Sequence, residues 1–408
     1  MPELSAGDTA WLLMATALVM VMLPGLALFY GGLVRRKNVL STIMHSFFGL
    51  ALVSVVWVLI GFSLAFGADV NGAGLIGGLE FVGFAGVGLE PNPAYAGSVP
   101  FVLFAAFQLM FAAITPALIS GAFAERKRFG AFVLFTLLWS LLVYSPIAHW
   151  VWAPGGWLRE LGALDFAGGT VVHVSSGVSA LVAAMLIGRR DANGEGMEPH
   201  DVPMTVLGAG LLWFGWFGFN AGSALAANGL AANALLVTNT AAGAAMLTWV
   251  LASYLHRGKV SVIGAATGAV AGLVAITPAA GFVGAGGAVL IGLGVGALCY
   301  GATLLRERLR VDDALDVFAV HGVGGIFGAL ATGVLAAAAI GGVSGALEGN
   351  LGQVGVQAVA VGATAAFAAL ATLGIVKLVE LVAGLRVEPQ AEQLGLDLAV
   401  HGEAAYQL

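Results

Sequence analysis

Residues 165–173 read DFAGGTVVH and residues 316–321 read DVFAVH, and these two stretches decide how the chain is interpreted. In each, an aspartate precedes a histidine that then enters a long apolar run. An ionisable side chain inside a membrane helix is costly, so it points to a function and to a partner. We expect His173 and His321 to pair and to line a narrow apolar passage. The alternative is two core histidines, each satisfied by a backbone carbonyl.

The composition is that of a membrane protein. Of the 408 residues, 60% are hydrophobic and 9% are charged, and the mean hydropathy is +0.98. Soluble proteins average about 25% charged residues, so most of this chain requires lipid as its solvent. The net charge of −6 offers no basic face for nucleic acid. A single cysteine excludes a disulfide within the chain and a cysteine-based metal cluster, and two histidines are too few for a zinc site. We expect no metal and no cofactor.

The sequence predicts an all-α membrane protein with eleven transmembrane helices. Eleven apolar runs are long enough to cross a hydrocarbon core of about 30 Å. They lie near 10–33, 42–66, 100–123, 130–152, 168–188, 203–225, 233–255, 260–279, 282–305, 315–340 and 353–383.

The basic residues predict the orientation. In the eleven-span arrangement, all of the 16 lysines and arginines except Arg159 follow odd-numbered spans or lie around the end of the last one. The positive-inside rule assigns that side to the cytoplasm. We therefore expect the N-terminus outside, the C-terminus in the cytoplasm, and a multi-pass protein of the cell (plasma) membrane.

The spans divide into two halves. Spans one to five and six to ten would run in opposite directions, which is the inverted repeat of many transporters. The Asp…His pattern near the start of spans five and ten supports this division. We expect a transmembrane domain over 1–383, with span eleven as a long last helix, and a cytoplasmic regulatory tail over 384–408.

Aromatic side chains near the outer ends of the spans indicate a cation site. Phe107 and Phe111 are four residues apart on span three and share a helix face. Trp152 ends span four, and Phe219 belongs to an aromatic group on span six that is followed by Ser223. Aromatic faces hold small cations by cation–π attraction, and a serine can accept a hydrogen bond from one. Most such aromatics instead form interfacial belts, which is the alternative.

The acids at the span starts have two interpretations. Asp165 precedes span five on the outer side, while Asp312, Asp313 and Asp316 precede span ten on the inner side. Each can cap a helix N-terminus and complement its dipole. Asp165 alone faces the outside, where its negative charge can also attract a cation.

Several longer runs resemble the ammonium transporter family (Amt/MEP/Rh), and the bacterial Amt branch in particular. The resemblance extends from Trp11 to HGEAAY at 401–406. It rests on PGLALFYGGLVRRKNVLS, GALDFAGGTVVH, GWFGFNAGSA, ITPAAGFVGAGGA and RVDDALDVFAVHGVGG.

The resemblance implies a homotrimer in the lipid membrane, with one pore in each protomer, that transports ammonium, ammonia or methylammonium in nitrogen metabolism and is not an enzyme. It also implies that the tail couples protomers and meets a cytoplasmic PII-type signalling protein. By this resemblance the family's twin pore histidines correspond to His173 and His321, and its structural aspartate to Asp165. Its recruitment site corresponds to Phe111, Trp152 and Ser223. Its gate corresponds to the pair Phe111 and Phe219, with Phe107 as the alternative member.

Two other functions compete with transport. One is an ammonium sensor that transports little; because only about 25 residues follow span eleven, its signal would need a partner protein. The other is a channel for a neutral gas or water, which would have no need of a cation site at Trp152 and Phe111.

Overall fold

The structure is a computed structural model that describes residues 3–191 and 196–406, and these residues are mostly helical. A two-stranded antiparallel sheet joins β1 (Pro91–Asn92) to β2 (Ala96–Pro100). We number the main helical segments α1 (Ala6–Leu33), α2 (Arg36–Phe66), α3 (Phe101–Phe123), α4 (Phe129–Glu160), α5 (Gly169–Ile187), α6 (Val202–Ala224), α7 (Gly229–Arg257), α8 (Val262–Ile276), α9 (Ala285–Leu309), α10 (Phe318–Leu335) and α11 (Gly352–Ala383).

These segments match the predicted spans in order and approximate position. Within the described ranges, 10 of them are long and apolar enough to cross a membrane, and α8 is shorter. With 15 residues, α8 reaches roughly 22 Å at 1.5 Å per residue, less than the thickness of the hydrocarbon core. The all-helical, multi-pass architecture is confirmed, while the count of eleven spans, the inverted repeat and the orientation of the termini stay predictions.

Glycines let the first helices of the two predicted halves touch. A Cβ placed on Gly208 of α6 would lie 2.2 Å from the backbone nitrogen of Phe29 on α1. A Cβ on Gly215, two turns further along, would meet Met22 at 2.3 Å. Such contact requires small residues, which is how membrane helices pack where no hydrophobic effect drives them together.

A second close crossing brings α5 and α10 together in the middle of the bundle. A Cβ on Gly177 would lie 2.1 Å from the backbone nitrogen of Gly322, so α5 tolerates no side chain at this point. Both helices begin with π-helical turns, Gly169–Val174 in α5 and Phe318–Gly322 in α10. Such turns are rare and recur at functional sites. Each of these turns contains one of the two predicted pore histidines.

We call the end of the bundle with the clustered lysines and arginines the inner end, and the opposite end the outer end. At the inner end, the described part of the tail folds back onto the helices. The amide of Arg128 donates to the carbonyl of Leu385 at 3.1 Å. Further along, the carboxylate of Asp397 accepts from the amides of Leu40 (3.1 Å) and Ser41 (2.9 Å). The tail thereby caps α2, although no residue of α2's own sequence does so.

The acids before α10 take separate roles. Asp313 accepts from the amide of Phe318 at 2.7 Å and caps the helix, as one of the two interpretations expected. Asp312 instead forms an ion pair with Arg190 at 2.8 Å. Burial opposes the charge of Asp312, but the hydrogen bonds and charge of Arg190 outweigh it and hold the pKa of Asp312 at about 2. Asp316 pairs with an arginine of α9.

Candidate functional site

Three cavities follow one another from the outer to the inner end of the bundle. The outer cavity has a volume of about 170 Å³, the central one about 10 Å³ and the inner one about 170 Å³. The central volume is that of a single water-sized molecule. The outer cavity is lined by Phe66, Tyr95, Phe104, Gln108, Phe111, Trp152, Arg159, Phe166, Ser223 and Leu225.

The central cavity contains the two histidines. Its remaining lining is apolar, and His321 also lines the inner cavity. The Nδ1 atoms of His173 and His321 lie 3.2 Å apart, within hydrogen-bond distance, and the two rings are inclined by only 30°. Both side chains are buried, and His173 also stacks on Trp216 with a centroid distance of 5.5 Å. The histidines thus bond to each other, and the predicted alternative of separate bonds to carbonyls is not what the structure has.

A pair of phenylalanine rings separates the outer cavity from the central one. The centroids of Phe111 and Phe219 are 4.2 Å apart. Phe111 lines the outer cavity and Phe219 the central one. Phe107 lines neither of these cavities; it packs edge-on against Phe111 at 5.0 Å and fills the space that a side chain at Gly222 would need. The rings that lie between the outer and central cavities are therefore those of Phe111 and Phe219, and Phe107 packs behind Phe111.

The predicted recruitment residues meet at the outer cavity. Trp152 stands perpendicular to Phe111, with ring centroids 5.8 Å apart. The hydroxyl of Ser223 donates to the carbonyl of Phe219 at 2.8 Å, which leaves its oxygen free to accept a hydrogen bond from the cavity. Two aromatic faces and one acceptor suit a small cation that carries N–H donors.

Sequence reasoning missed Gln108, which also lines the outer cavity. Its Oε1 atom is buried and has no hydrogen-bond partner among the described residues. A buried acceptor without a donor costs about 1–3 kcal/mol, so the amide is suited to a ligand that donates. The available signal was a single amide in the otherwise apolar run between Phe107 and Phe111.

Asp165 turns away from the outer cavity. Its carboxylate accepts from the amides of Gly168 at 2.7 Å, Gly169 at 2.6 Å and Thr170 at 2.7 Å, and also from the Thr170 hydroxyl. Its carbonyl accepts from the indole nitrogen of Trp152 at 3.0 Å. The residue therefore caps the π-helical start of α5 and holds Trp152 in place at the outer cavity, which makes it a positioning residue.

The comparisons with known proteins agree with one another. The sequence model of the Ammonium Transporter Family matches residues 10–406. An ammonium transporter of Bacillus subtilis is 51% identical over 404 residues, which is 98% of each chain. The crystal structure of Saccharomyces cerevisiae Mep2 superposes with a TM-score of 0.89 at 40% identity, covering 95% of this chain and 89% of that one. A structure described as a sensor Amt protein gives a TM-score of 0.88 at 32% identity, covering 97% and 98%.

Proposed function

The chain belongs to the ammonium transporter family, and we propose that it recruits ammonium at the outer cavity, deprotonates it and conducts ammonia past the two histidines, with or without the proton. Methylammonium is the corresponding substrate analogue. The buried histidine pair in an otherwise apolar passage, with a cavity on either side, is the observation that carries this proposal.

Recruitment is assigned to the aromatic lining of the outer cavity. Trp152 and Phe111 offer ring faces to the cation, and each such contact contributes about 0.5–2 kcal/mol. Ser223 and Gln108 supply oxygen acceptors for the N–H groups of ammonium. A neutral-gas channel has no need of this arrangement, which favours a cation over dissolved gas as the species first bound.

Deprotonation follows from the cost of the next step. The idealised cost of moving an ammonium-sized ion into an apolar medium is about 20 kcal/mol. Releasing its proton to the water outside the passage costs about 1.4 kcal/mol for each unit by which its pKa exceeds the ambient pH. The central cavity holds about one water-sized molecule in about 10 Å³ and cannot hydrate an ion. Ammonia, which is neutral and of that size, is the species suited to it.

The histidines are assigned the polar contacts inside the passage. Neutral imidazole both donates and accepts, so each ring can bond to passing ammonia without a charge. The Phe111–Phe219 pair is assigned the gate, because ammonia leaving the outer cavity must displace these rings to reach His173.

The proposal is tested by measuring uptake into sealed vesicles that contain the purified protein. We expect uptake of radiolabelled methylammonium well above that of protein-free vesicles, and inhibition by ammonium. Current recorded after an ammonium jump separates movement of charge from movement of neutral ammonia. Uptake no faster than in protein-free vesicles would refute the proposal.

We further propose that the chain works as a homotrimer in the cell membrane and that its tail, 384–408, is regulatory. The support is the family assignment together with the contacts that hold the described part of the tail against the inner end. A PII-type signalling protein is the proposed cytoplasmic partner.

A second candidate is an ammonium sensor with minor transport that acts through such a partner. The similarity to the sensor Amt protein favours it, since the two folds superpose over nearly the full chain. Transport distinguishes the candidates: a sensor would bind methylammonium at the outer cavity while its uptake stayed close to the protein-free rate.

A further inference from the structure

One basic side chain stands at the entrance of the proposed cation site. Arg159 lines the outer cavity together with Trp152, Phe111 and Ser223. Its Nη1 atom donates to the backbone carbonyl of Trp152 at 2.6 Å. The side chain is exposed, and no ion pair with a carboxylate is found for it in the part of the chain that the structure describes. Every other lysine and arginine was assigned to the inner side by the sequence.

The carbonyl that Arg159 occupies is a natural cation acceptor. Within α4, the regular helical stretch Ser145–Trp152 ends at Trp152, because Ala153 is extended. The carbonyls at such a helix C-terminus carry the negative end of the helix dipole. The guanidinium satisfies this acceptor and adds a full positive charge to the wall of a cavity that is proposed to receive ammonium. An entering cation therefore meets repulsion and also finds one acceptor already used.

We propose that Arg159 lowers the affinity of the outer cavity for cations. This inference rests on the proposed function. Arg159 raises the ammonium concentration at which transport is half-saturated, and it weakens the binding of competing monovalent cations in the same way. Its charge opposes the aromatic attraction without acting on neutral ammonia.

Variants of Arg159 separate charge from hydrogen bonding. Arg159→Gln removes the charge and keeps an N–H donor for the Trp152 carbonyl, whereas Arg159→Lys keeps the charge. At low ionic strength we expect Arg159→Gln to lower the half-saturating methylammonium concentration by about two- to tenfold, the range expected for one exposed charge about 3–10 Å from the cation and screened as in water. Arg159→Lys stays near the native value. Glu160→Gln, next in sequence but outside the cavity lining, serves as the control for net surface charge and shifts the value less and in the opposite direction.

The dependence of transport on ionic strength gives a second, independent measurement. The Debye length falls from about 30 Å at 0.01 M salt to about 8 Å at 0.15 M. If Arg159 repels the substrate, added salt of a bulky, non-transported cation lowers the half-saturating concentration of the native protein and leaves that of Arg159→Gln nearly unchanged. Maximal uptake rate and size-exclusion profile establish that the variants are folded.

The uptake measurements distinguish failure of this inference from failure of the proposed function. A lower half-saturating concentration in Arg159→Gln alone, with the screened salt response of the native protein, supports the inference. Native behaviour of Arg159→Gln at low salt overturns it, and so does an equal shift in Arg159→Gln and Arg159→Lys. If the native protein itself fails to take up methylammonium, the proposed function fails. If it transports normally and only the Arg159 variants are unshifted, this inference alone fails.

Discussion

The Nδ1 atoms of His173 and His321 lie 3.2 Å apart, and this contact fixes how protons are shared between the rings. A neutral imidazole carries one N–H, so only one of the two Nδ1 atoms can donate. The accepting ring must then carry its proton on Nε2. The pair consequently presents one Nε2 donor and one Nε2 acceptor along the passage. Transfer of a single proton across the Nδ1 contact would turn one ring into a cation and the other into an anion. Both rings stay neutral only if the Nε2 atoms also exchange protons.

The first prediction concerns this pair. His173→Ala or His321→Ala should abolish methylammonium uptake or change its selectivity against potassium, because each variant leaves one imidazole without its partner inside the bundle. Vesicle uptake and potassium competition measure the effect, and size-exclusion chromatography checks that the oligomer is retained.

A matched control is available at the inner end of α7. His256 bonds to the hydroxyl of Tyr300 at 2.8 Å and lines neither the central nor the inner cavity. His256→Ala should leave uptake close to native. If His173→Ala and His321→Ala both transport and discriminate like the native protein, the pair is structural.

The second prediction concerns the recruitment site. Trp152→Leu and Phe111→Ala should reduce uptake more at low than at high methylammonium, because each removes about 0.5–2 kcal/mol of cation–π attraction. The expected result is a severalfold higher half-saturating concentration. Trp157→Leu, a half-buried tryptophan outside the cavity lining, is the control. An unchanged concentration dependence in both site variants would rule out recruitment by these rings.

The sequence predicted much of this arrangement because ionisable side chains are costly in lipid and because helical spacing places aromatic side chains on one face. A buried histidine requires a partner, so two of them in corresponding helices predicted their own pairing, and the structure has them in contact. Phe107 and Phe111 share a helix face, but which of them meets Phe219 depends on how far α3 and α6 are rotated, and periodicity does not determine that. Gln108 was missed because a lone amide between two phenylalanines indicates function only once its oxygen is seen to be unpaired.

The inner end was harder to predict because its contacts are long-range. Nothing near Asp397 in sequence indicates that its carboxylate caps a helix that begins more than three hundred residues earlier. Lys127 counted only as one of the basic residues on the cytoplasmic side, and nothing near it in the sequence indicates that its amino group is buried above the rings of Phe123 and Phe135, at 3.6 and 3.9 Å from their centroids.

The third prediction concerns that lysine. The Nζ atom of Lys127 has no hydrogen-bond partner within the described residues, and burial lowers its pKa well below the ordinary 10.5. Lys127→Met keeps the approximate shape of the side chain and removes its unpaired amino group. It should therefore raise the free energy of unfolding of the detergent-solubilised protein, measured by thermal denaturation, by about 1–3 kcal/mol. The loss of two cation–π contacts offsets part of the gain.

The sign of the pH dependence follows from linkage. Between the lowered pKa and 10.5 the unfolded chain binds the proton that the folded chain releases, so the stability of the native protein rises with pH through this window. The advantage of Lys127→Met should therefore shrink as the pH rises toward 10.5. Lys377→Met, at an exposed position on α11, is the control and should change little. A constant or growing advantage at higher pH would show that Lys127 is not the group responsible.

The fourth prediction concerns the tail. Deletion after Gly384 should lower transport by the intact oligomer and remove binding of a PII-type protein without unfolding the helices, because the bundle has its own extensive apolar core. Uptake assays and a pull-down with a PII protein measure the two effects. A tail-less protein that transports fully and still binds the PII protein would contradict the regulatory assignment.

A single substitution tests the same assignment while leaving the tail in place. Asp397→Asn weakens the two bonds that cap α2, at a cost of up to about 1–2 kcal/mol. Glu388→Gln removes an exposed ion pair with Arg128, which contributes at most about 1 kcal/mol. If docking of the tail onto α2 is what transport depends on, Asp397→Asn lowers uptake part of the way toward the deletion and Glu388→Gln does not. Equal effects of the two substitutions on uptake would mean that transport depends on the charge of the tail and not on its docking onto α2.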